Sequence, residues 1–356
     1  MFEDFLNNQN SWLNGQGPEA GIVFSSRIRL ARNISGIPFP CRANDPQKKE
    51  VLSVAKETFC RIQDIANSSF VEMDSLDSLD RHILLERHLV GPEHMACGQG
   101  KAVIVSKDES TSIMVNEEDH FRMQVIVSGF DLGKCWNIIN NIDNNFSKEM
   151  PFAFSSDLGY LTACPTNVGT GMRASCMMHL PALIFTKRIN KILELLTRIS
   201  FATRGLFGEG TQALGDFFQI SNQASLGQSE EELIDNLMGV VNQVKGQEID
   251  ARDILMKKYK HNLEDSVWRA LGILRNCRLI NSKEALSHLS VLSLGLDLGI
   301  INNKDVSHCS RPRQLINSLF IEIQPAHLQK IEAKSLKEKE RDSIRAYILR
   351  EKLSKE

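Results

Sequence analysis

Apolar and polar residues alternate with a period of two in six short runs of the first 220 residues, at 22–31, 101–105, 112–115, 122–127, 173–180 and 216–220. That period marks half-buried strands, because successive side chains of an extended chain leave opposite faces. Between these runs, apolar residues recur at helical spacing over 46–65, 132–146 and 186–203. Strands bunched between a few helices predict an α+β domain built on a mainly antiparallel sheet. From about residue 229 strand-like runs become scarce, and helical spacing takes over at 229–244, 251–260, 263–273, 282–292 and 311–320. The last predicted helix, 326–355, is amphipathic with mixed charge, and its apolar positions are Leu328, Ile331, Leu336, Ile344, Ile348 and Leu349. The expected organisation is an α+β domain over 1–226 followed by an all-α domain over 227–356.

Composition narrows the class of protein. The 356 residues are enough for about two domains. A hydrophobic share of 42% with 24% charge fits a soluble chain with a sizeable core. The net charge of −2 gives no whole-protein field for nucleic acid or an acidic membrane surface, and the charges of the C-terminal helices are mixed rather than gathered on one basic face. Neither nucleic acid nor a membrane is therefore expected as a partner. The N-terminus lacks the basic start and apolar run of a secretory signal, and no apolar stretch approaches the ~18 residues of a membrane helix, so a cytoplasmic location is expected. The eight cysteines form no Cys-x-x-Cys pair; reduced thiols, mostly buried, and no resident metal are the expectation.

Four strings carry candidate chemistry. In Phe24-Ser25-Ser26-Arg27-Ile28-Arg29-Leu30-Ala31-Arg32, strand alternation puts Ser25, Arg27 and Arg29 on one face and Ser26, Ile28 and Leu30 on the other. Two guanidinium groups on one face repel unless an anion lies between them, and polyphosphate matches their planar forks; a solvated face would also accommodate them. In Met114-Val115-Asn116-Glu117-Glu118-Asp119-His120-Phe121-Arg122, three acids and a histidine join two strand-like runs. A solvated turn would explain the acids, but carboxylates there could also hold a cationic substrate, bind magnesium or accept a proton.

The third string is Leu161-Thr162-Ala163-Cys164-Pro165-Thr166-Asn167-Val168-Gly169-Thr170-Gly171-Met172-Arg173. It lacks the Gly-Lys-Ser/Thr ending of a P-loop, and places a cysteine, held by proline, at the mouth of a Gly/Thr loop. The fourth, Arg204-Gly205-Leu206-Phe207-Gly208-Glu209-Gly210, sets three glycines around one glutamate. Such a loop could carry a carboxylate into a closed site, or serve as a plain connection.

In order and spacing the four strings resemble the phosphagen (guanidino) kinase family across roughly residues 21–223. Within that family they are similar to the bacterial protein-arginine kinases. Arg173-Ala174-Ser175-Cys176-Met177-Met178-His179-Leu180-Pro181, Phe218-Gln219-Ile220-Ser221-Asn222-Gln223 and the helical C-terminal region support this likeness. So does Arg341-Asp342-Ser343-Ile344-Arg345-Ala346, which fits the Arg-Asp-x-x-Arg-Ala motif that such kinases use to bind phosphoarginine at an allosteric site.

The resemblance implies a phosphagen-kinase-like catalytic domain and ATP-dependent phosphorylation of arginine side chains in proteins, with ATP and Mg2+ as the phosphoryl donor. It implies that Ser25, Ser26, Arg27, Ile28, Arg29, His88, Arg122, Arg173, Ala174, Ser175, Cys176, Met177 and the segment Arg204, Gly205, Leu206, Phe207, Gly208 and Glu209 surround the nucleotide. A guanidinium with a pKa of ~12.5–13.8 is a poor nucleophile while protonated. The family meets this with two carboxylates that orient the acceptor and draw off a proton, matched here by Glu118 and Glu209. Cys164 matches its reactive cysteine, a thiolate tuned by electropositive neighbours.

Small-molecule members of the family carry a helical domain ahead of the arginine-bearing strand, and Arg27 comes too early for one, which favours arginine on a protein surface over free arginine or creatine. A kinase for a small guanidine, and a phosphoarginine-binding adaptor with an inactive kinase domain, are the alternatives. The resemblance further implies a small zinc-binding activator, a stress-gene repressor among the targets, delivery to a Clp-type protease, and a homodimer.

Overall fold

The alternating run at 22–31 forms β1 (Val23–Arg32), the central strand of an eight-stranded antiparallel sheet in a computed structural model that describes residues 10–62, 65, 67–96, 98–205, 214–306 and 310–354. On one side of β1 lie, in order, β5 (Phe121–Ser128), β4 (Thr111–Val115), β3 (Ala102–Ser106) and β2 (Ser68–Glu72). On the other side lie β8 (Met172–His179), β10 (Phe217–Asn222) and the edge strand β9 (Phe201–Gly205). A small separate hairpin joins β6 (Phe154–Ser155) to β7 (Gly159–Tyr160).

The two faces of the sheet differ in kind. Ile28, Leu30, Met123, Val125, Ala174 and Ile220 point to one side and are fully buried. They are covered by α3 (Leu132–Glu149), which turns Cys135, Ile139, Ile142 and Phe146 inward, and by α6 (Glu230–Lys258). Burial of one such aliphatic or aromatic side chain contributes about 1.5–3 kcal/mol, so this face holds much of the core. On the opposite face a smaller cluster, Val71, Val103, Val105 and Met114, is closed by Leu84 of α2 (Ser78–Glu86) and by Leu89 and Val90. This cover sits over β2 to β4 only. The same face of β5, β1, β8, β10 and β9 is mainly polar, with Ile126, Met177 and Phe217 as apolar exceptions.

Local signals place the remaining helices. α1 (Asp45–Arg61) begins at a reciprocal capping box between Asn44 and Gln47 with a proline in its first turn. After β8 come α4 (Pro181–Phe185) and α5 (Ile189–Arg198). α6 starts at a second capping box, Ser229 with Glu232, and opens an all-helical region. It is followed by α7 (Lys260–Asn276), α8 (Ser282–Asp297), α9 (Asn303–Val306), α10 (Pro312–Glu322), α11 (Pro325–Ile331) and α12 (Glu338–Leu353). One apolar cluster runs from the sheet into these helices: Phe217 meets Phe24 and Phe320 edge to face, each with centroids 4.9 Å apart. A buried polar chain crosses the same seam, with the Ser290 hydroxyl of α8 bonded to His179 at 2.8 Å and donating to Asp216 at 2.5 Å.

The expected α+β class, with its mainly antiparallel sheet and helical C-terminal region, is the observed one. Several elements differ from the period-based reading. The helix predicted at 186–203 ends at Arg198; Ser200 has φ +61, and the chain then pairs with β10 as β9. The period was right for α5, but pairing at a sheet edge took the last residues. Strand β2 and helix α2 fall in an interval without a clear period in the sequence. The helix predicted over 326–355 divides into α11 and α12 around Ala333, at φ +51. Conversely, the segments predicted at 229–244 and 251–260 are joined in one helix, α6, which continues through Gly246 and ends at Lys258. Of the six described cysteines only Cys135 and Cys176 are buried, so the thiols are less buried than expected. Among the described residues no helix is long and apolar enough to cross a membrane.

Candidate active site

Register decides which side chains meet on the polar face. Arg29 of β1 lies opposite Arg173 of β8 and, on its other side, opposite Gln124 of β5; Arg122 is two residues from Gln124 and therefore shares its face. Arg27 lies opposite Ser175, itself opposite Ser221 of β10. Ser25 pairs with Met177, which leads through Gln219 to Arg204 on β9. Arg27, Arg29, Arg122, Arg173 and Arg204 thus come from four strands onto one face.

Their charges are poorly compensated. Among the described residues Arg122 alone of the five has a carboxylate partner, Glu117 at 2.5 Å. Arg27 donates to the neutral Gln219 at 2.7 Å, and the Arg29 Nε is buried without a hydrogen-bond partner among the described residues. Burial, then the charges of Arg122, Arg173 and Arg204, push the Arg27 guanidinium down to about 10. Burial and the neighbouring arginines hold Arg29 well below its ordinary value and lower Arg173 as well. Burial also opposes the charge on Arg122, but Glu117, with Glu93 and Glu118 behind it, raises it overall. Such a field is the complement of a polyanion.

A cavity beside Arg27 is lined by Trp12, Ser25, His88, Ser175, Met177 and Gln219. His88 has φ +59 and its carbonyl accepts from the Gln124 side chain at 2.7 Å. Burial, then Arg27, lowers its imidazole to about 3, so the ring is neutral. Trp12 packs edge-on against His88 at 5.8 Å, and its buried indole N–H has no hydrogen-bond partner among the described residues. Trp12 was not legible as a site residue; its only signal is a lone tryptophan in a polar stretch.

The other members of the predicted segments leave in the opposite direction. Ser26, Ile28, Ala174 and Cys176 point into the core; the Ser26 hydroxyl donates to the Gly129 carbonyl at 2.8 Å, and burial pushes the Cys176 thiol up to about 12. Only their backbones could line the polar face. Gly169 and Gly171 serve packing: a Cβ on Gly171, at φ +66, would lie 2.6 Å from the Ala31 carbonyl, and one on Gly169 2.7 Å from that of Ser225.

At the β4–β5 turn the chain doubles back through Asn116, at φ +57, whose amide donates to the carbonyls of Gly100 at 2.7 Å and Lys48 at 2.9 Å. Glu117 turns inward to Arg122, whereas Glu118 is exposed. Partial desolvation by the packed turn and then the Asp119 charge raise the Glu118 pKa against the pull of Arg122. The buried Asp119 ties this turn to the third string. One of its oxygens accepts from Asn33 at 2.6 Å and from the Ala163 amide at 2.7 Å, and Asn33 also accepts from the His120 amide at 2.8 Å. Cys164, half-buried, is the next residue; its sulfur lies 3.1 Å from the Thr166 hydroxyl and in the field of Arg173. Asn33 was missed in the sequence because an asparagine at a strand end carries no pattern of its own.

Gly205 closes β9, and Leu206, Phe207, Gly208 and Glu209 lie outside the described residues. The Arg341–Ala346 string occupies the first half of α12, which packs on α7 and α11. Arg345 is buried, donating to the carbonyls of Ile323 at 3.0 Å and Ile280 at 2.9 Å and pairing with Asp342 at 2.6 Å. Arg341 is only half-buried. Among the described residues no group of three or more His, Cys, Asp or Glu side chains is arranged to hold a metal ion.

A tuning role for Cys164 has a direct check. Cys164→Ser should retain measurable turnover, since serine preserves the Thr166 contact, while a bulky thiol adduct on the native protein should block the site. A covalent intermediate isolated on Cys164 during turnover would contradict it.

Comparison with known proteins agrees with this geometry. The family model described as ATP:guanido phosphotransferase, C-terminal catalytic domain, matches residues 50–251, and that of the protein-arginine kinase McsB C-terminal domain matches residues 260–356. The chain is 43% identical to the protein-arginine kinase of Halothermothrix orenii over 99% of both chains. It is 44% identical to that of Moorella thermoacetica over 98% of this chain and 99% of the relative. Among solved structures, lombricine kinase superposes with a TM-score of 0.57 at 24% identity, covering 66% of this chain and 70% of that one.

Proposed function

The chain belongs to the ATP:guanido phosphotransferase family, and from that premise we propose that it is a protein-arginine kinase which transfers the γ-phosphoryl group of ATP, as its magnesium complex, to arginine side chains of proteins. The observation that carries the reading is the five-arginine face ending at an exposed carboxylate, Glu118.

Phosphoryl transfer needs alignment and charge neutralisation more than covalent chemistry. Arg27, Arg29, Arg122, Arg173 and Arg204 supply fixed positive charge for the polyphosphate, and part of their repulsion is relieved when it binds. The neutral His88 ring and Trp12 line a small crevice beside Arg27, against which the nucleotide is held. Magnesium would arrive with ATP as part of the substrate and would neutralise part of the polyphosphate charge. At the other end, a guanidinium nitrogen attacks the γ-phosphorus as the bond to the ADP oxygen breaks. The bond electrons leave with ADP, and the acceptor's proton passes to Glu118, whose raised pKa suits it as a proton acceptor. Glu209 is the second acceptor carboxylate by family likeness, and Cys164 tunes the acceptor nitrogen from beside Arg173.

Exposure of Glu118 favours an acceptor presented on a polypeptide over a small guanidine enclosed by the protein. The test is incubation with labelled ATP and an arginine-rich protein. Acid-labile label located on arginine is expected, whereas label confined to free arginine, or none, would overturn the reading. Marking of substrates for a Clp-type protease, action on a stress-gene repressor and activation by a small zinc-binding protein are its finer parts. They are tested by recovering phosphoarginine from a purified cellular partner.

The α12 string is proposed as a regulatory phosphoarginine site with Arg341 as the available cation. Arg341→Ala should remove any response of the full chain to free phosphoarginine while basal labelling stays near wild type; an unchanged response would exclude it. Asp342 is the poorer choice of variant, because its loss also strips the buried Arg345 of its carboxylate.

A further inference from the structure

The nucleotide cavity is bounded by a residue whose setting depends on a distant part of the chain. His88 stands two residues beyond the end of α2, and its two predecessors both reach toward the C-terminal helical region. The Glu86 carboxylate lies across the first turn of α11. One oxygen accepts from the Ala326 amide at 2.8 Å; the other accepts from the His327 amide at 3.1 Å and from the His327 Nδ1 at 2.7 Å. The second ring nitrogen, Nε2, faces a guanidinium nitrogen of Arg87 at 3.4 Å. The carboxylate needs a donor, so Nδ1 carries a proton and gives it to the Glu86 oxygen, while Nε2 is turned to the guanidinium.

Arg87 continues the chain. It grips both oxygens of Glu109, at 2.6 and 2.7 Å, and donates to the Asn10 side chain. Arg87, Glu109 and His327 are 4%, 1% and 1% exposed, so water does not compete for these bonds. With Arg87 held outward in this way, the backbone turns left-handed at the next residue. The His88 amide closes onto the Leu85 carbonyl at 2.9 Å, its carbonyl is held by Gln124, and its ring lies against Trp12 beside Arg27. α11 is itself fixed from behind, because the carbonyl of Ile323, just ahead of it, accepts from Arg345 of α12.

We infer that His327 and Glu86 are positioning residues of the nucleotide site, through which α11 sets the His88 ring over the cavity beside Arg27. This rests on the reading that the cavity receives ATP. A purely structural bond at this seam would alter stability and leave the dependence of rate on ATP as it was. A positioning bond changes the half-saturating ATP concentration, and it recovers when the lost donor is restored.

The measurement is labelling of an arginine-rich protein by the full chain across a range of ATP concentrations. His327→Ala should raise KM for ATP about five- to tenfold, the scale of one ordinary net hydrogen bond, with kcat at saturating ATP changed less than about twofold. His327→Asn places an amide donor where Nδ1 was and should recover most of that loss. Should His327→Ala not fold, Glu86→Gln, which keeps shape and removes charge, should shift KM in the same direction. An unchanged KM in a folded His327→Ala or Glu86→Gln protein would overturn the inference, as would an asparagine variant no better than alanine. Wild-type labelling that fails to saturate with ATP would instead overturn the kinase reading, and this inference with it.

Discussion

Glu118→Gln should lower turnover by about 10²–10⁴-fold while leaving the affinity for MgATP nearly unchanged. Glutamine keeps the size of the side chain and its capacity to orient a guanidinium, but it cannot take the proton that must leave the acceptor nitrogen. Nucleotide affinity should survive because Glu118 is the exposed member of its turn; the inward member, Glu117, is the one paired with Arg122. Parallel measurement of nucleotide binding by titration and of label incorporation decides the matter. A variant that loses both together would show that the turn organises the phosphate site instead of the acceptor.

Arg29→Met should do the reverse of most core substitutions, making the nucleotide-free protein more stable while removing much of its affinity for ATP. Arg29 is directly opposite Arg173, and like charges so placed are destabilising, on the order of 1 kcal/mol. Methionine keeps length and removes charge. The ligand-free melting temperature should rise, whereas the increment produced by saturating MgATP, about 2.7 kcal/mol for wild type at a hundred times Kd, should shrink sharply. The sign of the alkaline pH dependence follows from the same cluster. The Arg27 guanidinium titrates at about 10 in the folded protein against 12.5 for an ordinary arginine. Between those values the folded state binds fewer protons than the unfolded one, so the penalty is fully present below about pH 10 and is relieved as pH rises through the folded value. A nucleotide-free Arg29→Met protein that melts below wild type would refute the view that this face is held in tension for its ligand.

Much of this arrangement could be read from the chain. Alternation at Ser25, Arg27 and Arg29 named one face of the central strand, and the register with Arg173 and Arg122 then follows from antiparallel pairing. Period alone could not read chain reversals governed by single backbone angles, such as Ser200 ahead of β9 and Ala333 between α11 and α12. Nor does spacing say which of two equivalent residues turns inward. Glu117 and Glu118 are adjacent acids, and Arg341 and Arg345 share a helix face, yet in each pair one is engaged internally and the other remains available. Long-range bonds decide that: Arg122 for Glu117, and the carbonyls of Ile280 and Ile323 for Arg345. Trp12 and Asn33 acquire their places only through partners far along the chain.

The double bond accepted by Asp119 has a consequence for transplanting this chemistry. Because one carboxylate oxygen holds both Asn33 and the amide of Ala163, the turn bearing Glu118 and the loop bearing Cys164 share a single anchor. They are one exchangeable part, not two. A chimera that borrows the cysteine loop from a kinase of different acceptor preference inherits a misplaced thiol unless Asn33 and Asp119 travel with it. Substrate preference in this scaffold is therefore expected to diversify by replacing that three-segment unit as a block, with the arginine face carried over unaltered.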